Sequence, residues 1–161
     1  ILLSGSKMAA SAMHPKKSAD INFFVSGSIN SAGSLNRGTA VFGGDVVTSG
    51  STHTRGAVHR KTLTASSNFN VGVSDHYMFI NTAGGHVTAS LQPAANAGAG
   101  RELVFKDVGG YADVNFIVIK PAAGEKIESI PDEVKIKVSS GSISLISDGT
   151  INYFIVGESG G

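Results

Sequence analysis

Five histidines are the first residues to weigh for chemistry: His14, His53, His59, His76 and His86. No two stand four apart, as on a zinc-binding helix, and none forms a His-x-His pair on one face of a strand. A metal reading therefore needs symmetry. In a parallel trimer one histidine per chain meets its two copies on the axis, and His53, in the polar connector 49–56, is the residue so placed. Its other reading is an exposed turn histidine. Asp75-His76 would suit proton transfer, but without a third partner the pair reads as a loop ahead of the strand at Tyr77. Glu125, Glu128, Asp132 and Glu133 flank Pro131. Paired carboxylates hydrolyse glycosides when set roughly 5–10 Å apart in a cleft. In a turn region these four read as solvated loop acids, and they lack the spaced Asp/Asn pattern of a calcium loop.

Serine and glycine motifs lead no further. Gly157-Glu-Ser-Gly-Gly161 matches the Gly-x-Ser-x-Gly pattern of a nucleophile elbow. That elbow needs a following helix with a downstream His and acid, which the sequence does not go on to supply. Gly98-Ala-Gly100 precedes a strand instead of opening a helix, so it is no phosphate cradle. The absence of cysteine excludes disulfides and thiolate metal sites. The expectation is a protein that is not an enzyme and takes no cofactor.

Composition narrows the class. The chain has 161 residues with 21 Gly, 16% charged and 41% hydrophobic residues, which disfavours long helices yet suffices for a core. A formal net charge of +1 leaves no basic stripe for nucleic acid, and His14-Pro-Lys-Lys17 is the only basic cluster. No apolar run approaches the roughly 18 residues of a membrane span, so membrane insertion is not expected. A start at Ile1, not Met, with a polar, glycine-ended tail, suggests a piece of a longer polypeptide.

The elements that would position any site are strands. From Arg101 onward, Leu103-Val-Phe105, residues 114–119, Val134-Lys-Ile-Lys-Val138, residues 143–146 and residues 151–156 form short apolar runs between turns. Asp148-Gly149 between the last two is a strong hairpin signal, because both residues tolerate φ > 0. Val134 to Val138 alternates with period two, which buries one face and leaves the lysines in water. Upstream, 61–65 and 77–80 read as strands, 87–91 alternates, and Ala94 to Gly100 reads as an irregular loop, with a short turn of helix as the other reading. Eight or nine strands are expected from Lys61 on, the complement of a β-sandwich or jelly roll.

The first third repeats itself. Ile1-Leu-Leu-Ser-Gly-Ser6 returns as Phe23-Phe-Val-Ser-Gly-Ser28 and as Val46-Val-Thr-Ser-Gly-Ser51, with starts at 1, 23 and 46 and hence steps of 22 and 23 residues. Each copy is a short apolar strand closed by a Ser-Gly-Ser turn. Such a unit cannot bury its apolar face alone, and three copies make a thin core. The expectation is a β-stalk built by several identical chains, with three the natural number. Asn36-Arg37-Gly38 reads as a turn entering the strand at 39–42.

The run FFVSGSINSAGSLNRGTAVFGGDVVTSGS, the stretch NTAGGHVTASLQPAANAGAGRELVFKDVGG and the ending SLISDGTINYFIV together resemble bacteriophage tail-fibre and capsid-fibre C-terminal regions over most of residues 21–157. The most specific pieces are Val41-Phe-Gly-Gly-Asp-Val-Val47 and Leu145-Ile-Ser-Asp-Gly-Thr150 with Tyr153. Where tip modules of this kind commonly carry a Trp beside an aromatic, this chain has Ile151-Asn152-Tyr153. The resemblance implies an all-β, non-enzymatic virion protein: a repetitive stalk, residues 1–57, a β-sandwich (jelly-roll-like) head, residues 58–161, with a short flexible C-terminal tail, and an intertwined homotrimer. It implies a place on the phage particle surface, contact with other virion proteins and attachment to a host-surface glycan or protein, and it supplies no catalytic residue. Tyr77 and Tyr111, aromatic residues near turns of the head, are the receptor-contact candidates. The alternative is a capsid decoration, head-fibre or baseplate component that binds other virion proteins.

Overall fold

A computed structural model describes residues 2–4, 24–26, 40, 42, 46–54 and 56–160. The chain divides into two compact units, Ile1–His53 and Thr54–Gly161. The expected turn at Asn36-Arg37-Gly38 and the basic cluster at 14–17 lie outside the described residues.

In the first unit, β1 (Leu2–Ser4) and β2 (Phe24–Ser26) pair in parallel. They are the first two copies of the repeat, and Leu2 faces Phe24 while Ser4 faces Ser26. The pairing occurs within one chain. The third copy, residues 46–51, is exposed and lies in no strand.

Among its described residues the second unit has ten strands and one helical turn. The strands are β3 (Thr62–Ala65), β4 (Phe69–Asn70), β5 (Tyr77–Ile80), β6 (Val87–Ser90), β7 (Ala99–Asp107), β8 (Ile117–Lys120), β9 (Lys126–Ile127), β10 (Val134–Ile136), β11 (Ser142–Asp148) and β12 (Asn152–Ser159). They form a six-stranded sheet, β3-β5-β7-β11-β12-β9, and a four-stranded sheet, β10-β8-β6-β4. The first six strands alternate between the sheets. Within each sheet they therefore run parallel: β3, β5 and β7 in one, β4, β6 and β8 in the other. Parallel neighbours need a crossover, and here each sheet's crossover is a strand of the other sheet, so the chain winds as a coil. Direction reverses where β10 adds antiparallel to β8 and β11 adds antiparallel to β7.

Period-two alternation explains the core. β11 alternates half-buried Ser142, Ser144 and Ile146 with buried Ile143, Leu145 and Ser147, and β5 alternates Tyr77 and Phe79 with Met78 and Ile80. Both sheets send their inner residues into one cluster. Val87, Ala89, Ile117, Ile119 and Ile136 come from the four-stranded sheet, and Met78, Ile80, Leu103, Phe105, Ile143, Leu145 and Tyr153 from the six-stranded one. The chain is all-β with two mixed sheets.

Several expectations change. The parallel coil replaces the antiparallel hairpin pattern of a jelly roll, because alternation of single strands between sheets makes sheet neighbours parallel from β3 through β8. Ten strands appear instead of eight or nine, since β4 and β9 are two residues long and show no period. Of the two readings of 94–100 the helical turn is the one found: α1 (Ala94–Ala97), whose first amide bonds to the Glu125 carboxylate. β12 continues through Ser159, which pairs with Ser142 of β11.

Candidate functional site

The outward face of the six-stranded sheet distinguishes this unit. Strand register lays its residues in rows. One row runs Thr62, Tyr77, Val104, Ser144 and Gly157, and the next Thr64, Phe79, Lys106, Ser142 and Ser159. A third, shorter row holds Glu102, Ile146 and Phe154. With neighbouring strands about 4.8 Å apart, five strands span roughly 19 Å. The rows put Tyr77, Phe79, Val104, Ile146 and Phe154 on a face outside the core, half-buried except for exposed Phe154.

The opposite sheet shows what an ordinary outer face looks like in this protein. There the outward rows are Lys135, Val118 and Thr88, and Lys120, Ser90 and Asn70. Polar side chains dominate, as on a sheet face meant for water. Both outer faces carry polar side chains, and the rows of the six-stranded sheet add the rings of Tyr77, Phe79 and Phe154.

Tyr77 and Phe79 stand two apart on β5, so their rings share a side: the centroids are 6.4 Å apart and the planes differ by 19°. His76 meets the Tyr77 ring edge-on at 4.4 Å. Arg60 Nη1 lies 3.2 Å from His76 Nε2, and Glu102 Oε2 lies 3.5 Å from the same nitrogen. Burial lowers the His76 pKa and the Arg60 charge lowers it further, with Glu102 opposing. Burial and Arg60 thus favour the uncharged imidazole.

The start of β5 is anchored from below. The Asp75 carboxylate accepts from Gly72 N at 2.8 Å and pairs with Lys61 Nζ at 2.8 Å. Arg101 donates to the carbonyls of Gly72 and Asp75 at 2.7 and 2.8 Å. The Lys61 hydrogen bond above all holds the Asp75 pKa below the usual carboxylate range. Asp75-His76 is thus a structural loop ahead of β5.

Chemically the face offers aromatic surface for apolar C–H groups beside hydroxyls of Thr62, Thr64, Ser142, Ser144 and Ser159. The Ser142 and Ser159 hydroxyls are 2.6 Å apart, which places the serine of the Gly-x-Ser-x-Gly match inside the sheet, bonded to another serine.

Of the residues singled out from sequence, Tyr77 lies on this face. Tyr111 does not: it is 50% exposed in the turn after β7, where its carbonyl accepts from Val114 and Asn115. His53 is exposed, and among the described residues no group of three His, Cys, Asp or Glu could hold a metal; an axial site would draw its ligands from three chains. The loop acids divide. Glu125 is a buried cap, accepting from Ala94 N at 2.9 and 3.0 Å through its two oxygens, not a solvated residue. Glu128 accepts from Ile155 N, and Glu133 pairs with Lys135 at 2.7 Å. Sequence reading passed over Phe79, Val104, Ile146 and Phe154. The available signal was Tyr77-Met-Phe-Ile80, apolar on both sides of a strand, which asks that both faces be covered or used. Comparison with protein-family models and with curated proteins finds no match to this chain.

Proposed function

We propose that the chain is a non-enzymatic structural protein of a bacteriophage particle, a fibre of tail-fibre type whose terminal head attaches to a host surface. The rings of Tyr77, Phe79 and Phe154 on the outer face of the six-stranded sheet, which the rows of the opposite sheet lack, carry the reading. A broad, shallow face with two parallel rings and a row of hydroxyls suits weak, repeated contact with a surface polymer. Weak contacts add when several heads on one trimeric fibre engage the same surface, because the later binding events become intramolecular. The protein would sit on the outside of the particle, without a cofactor.

A second reading, a capsid decoration, head-fibre or baseplate component, draws on β12. Beyond Tyr153 its outer edge has no strand partner, and Phe154 and Val156 are 42% and 54% exposed. Although Glu128 accepts from Ile155 N, this edge pairs with no strand among the described residues, and such an edge suits strand addition by another protein. Location on the particle by electron microscopy separates the two readings.

The test of attachment uses purified chain on intact bacterial cells and on arrayed bacterial surface polysaccharides. Tyr77→Ala combined with Phe79→Ala is expected to weaken retention at least tenfold, as the loss of about 1.4 kcal/mol would. Retention unchanged by the double substitution overturns the site, and breakdown of the polysaccharide overturns the non-enzymatic reading.

A further inference from the structure

The third copy of the repeat carries the apolar pattern of its predecessors but lacks their pairing. β1 and β2 pair with a shift of 22 residues, Leu2 on Phe24, Leu3 on Val25 and Ser4 on Ser26. That shift is the step between the copies, so each repeat position meets its equivalent. The motif thus recognises itself, in parallel and in register. In the third copy Val47, Thr48 and Ser49 occupy the places of Phe24, Val25 and Ser26. These residues lie in no strand, with Val46 64% and Val47 91% exposed. Two β-branched valines followed by a threonine form a strand-favouring segment without a ladder.

We infer that residues 46–49 pair with the same residues of a second copy of this chain, parallel and in register. Identical segments need no shift: Val47 pairs with Val47 and Ser49 with Ser49, as the register pairs equivalent repeat positions between β1 and β2. The partner is a second copy because the β1–β2 pair shows this motif pairing with its own equivalent positions. The inference deepens the fibre reading, on which it rests for the number of chains, by naming where chains join.

The chain has no cysteine, so single substitutions report cleanly. Val46→Cys, Val47→Cys, Thr48→Cys and Ser49→Cys are each oxidised in the full chain and resolved without reductant. In-register neighbours about 4.8 Å apart fall inside the disulfide window of roughly 4.4–6.8 Å between Cα atoms. All four variants are expected to cross-link at least tenfold faster than Ser66→Cys in the exposed turn after β3. Antiparallel pairing would favour one position of the four. Pairing with a partner's β2 would leave single variants at the control rate and cross-link only Val25→Cys with Thr48→Cys. Either result overturns the inference, as does a rate equal to the control throughout. Surface retention by the Tyr77 face is measured on the same variants, so failure of the chain junction is distinguishable from failure of the attachment reading.

Discussion

At the scale of single residues, buried polar groups in the second unit are spent on holding loops. Asp107 is 1% exposed and accepts from the amides of Gly109, Gly110, Ala112 and Ser140 at 2.9–3.1 Å. One carboxylate therefore ties the turn after β7 to the turn before β11. Tyr153 is fully buried and its hydroxyl donates to the Gln92 carbonyl at 2.8 Å. Burial pushes its pKa up to about 12 from the ordinary 10. The folded state thus holds this proton more tightly than the unfolded chain. The resulting stability is complete below pH 10 and is lost as pH climbs toward 12. Tyrosinate absorbance during alkaline titration should show one late step in the folded protein. Tyr153→Phe removes that step and costs about 1 kcal/mol in urea denaturation, the worth of one hydrogen bond.

At the scale of elements, the β11–β12 hairpin shows how a two-residue signal becomes a rigid turn. Asp148 Oδ1 accepts from the amides of Thr150, Ile151 and Asn152 at 2.7–3.1 Å, and Oδ2 from Asn152 Nδ2 at 2.9 Å. The backbone bond from Asn152 foremost, with those from Thr150, holds the Asp148 pKa far below the usual carboxylate range. A depressed carboxylate pKa stabilises the fold above the ordinary aspartate range and loses that contribution as pH falls through the folded value. Asp148→Asn is expected to flatten the decline of Tm at acid pH and lower Tm at neutral pH, as measured by circular dichroism. Gly149 has φ +76°, and a Cβ there would sit 2.6 Å from Ala99 N. Gly149→Ala is both strained and crowded and should cost about 1–3 kcal/mol in thermal denaturation. The Asp-Gly turn was readable because its chemistry is local. β4 and β9 were not, because two residues carry no period and their pairing is set by the neighbours they meet.

At the scale of the whole molecule, attachment by a weak face depends on the number of faces. If residues 46–49 join the chains, Val47→Asp places charge at that junction and should release single chains, seen as a fall in mass by light scattering. Surface retention should then drop by about 100-fold or more, through loss of avidity, while each head keeps its own affinity and Tm. Equal retention by the variant and the parent would separate attachment from assembly.

The sequence alone determined the all-β class, the repeat and its period, the Asp148-Gly149 turn and most strand positions, since each depends on residues close in the chain. It also placed Tyr77 on a strand. Only the tertiary structure decided that single strands alternate between two sheets as a coil, because a parallel partner comes from a distant residue and leaves no local mark. The same holds for burial of Glu125 against Ala94, residues 31 apart, and for the pairing of Ser159 with Ser142. The aromatic face follows the same rule: Tyr77, Val104, Ile146 and Phe154 come from four strands, and only the register that aligns those strands brings their side chains onto one surface.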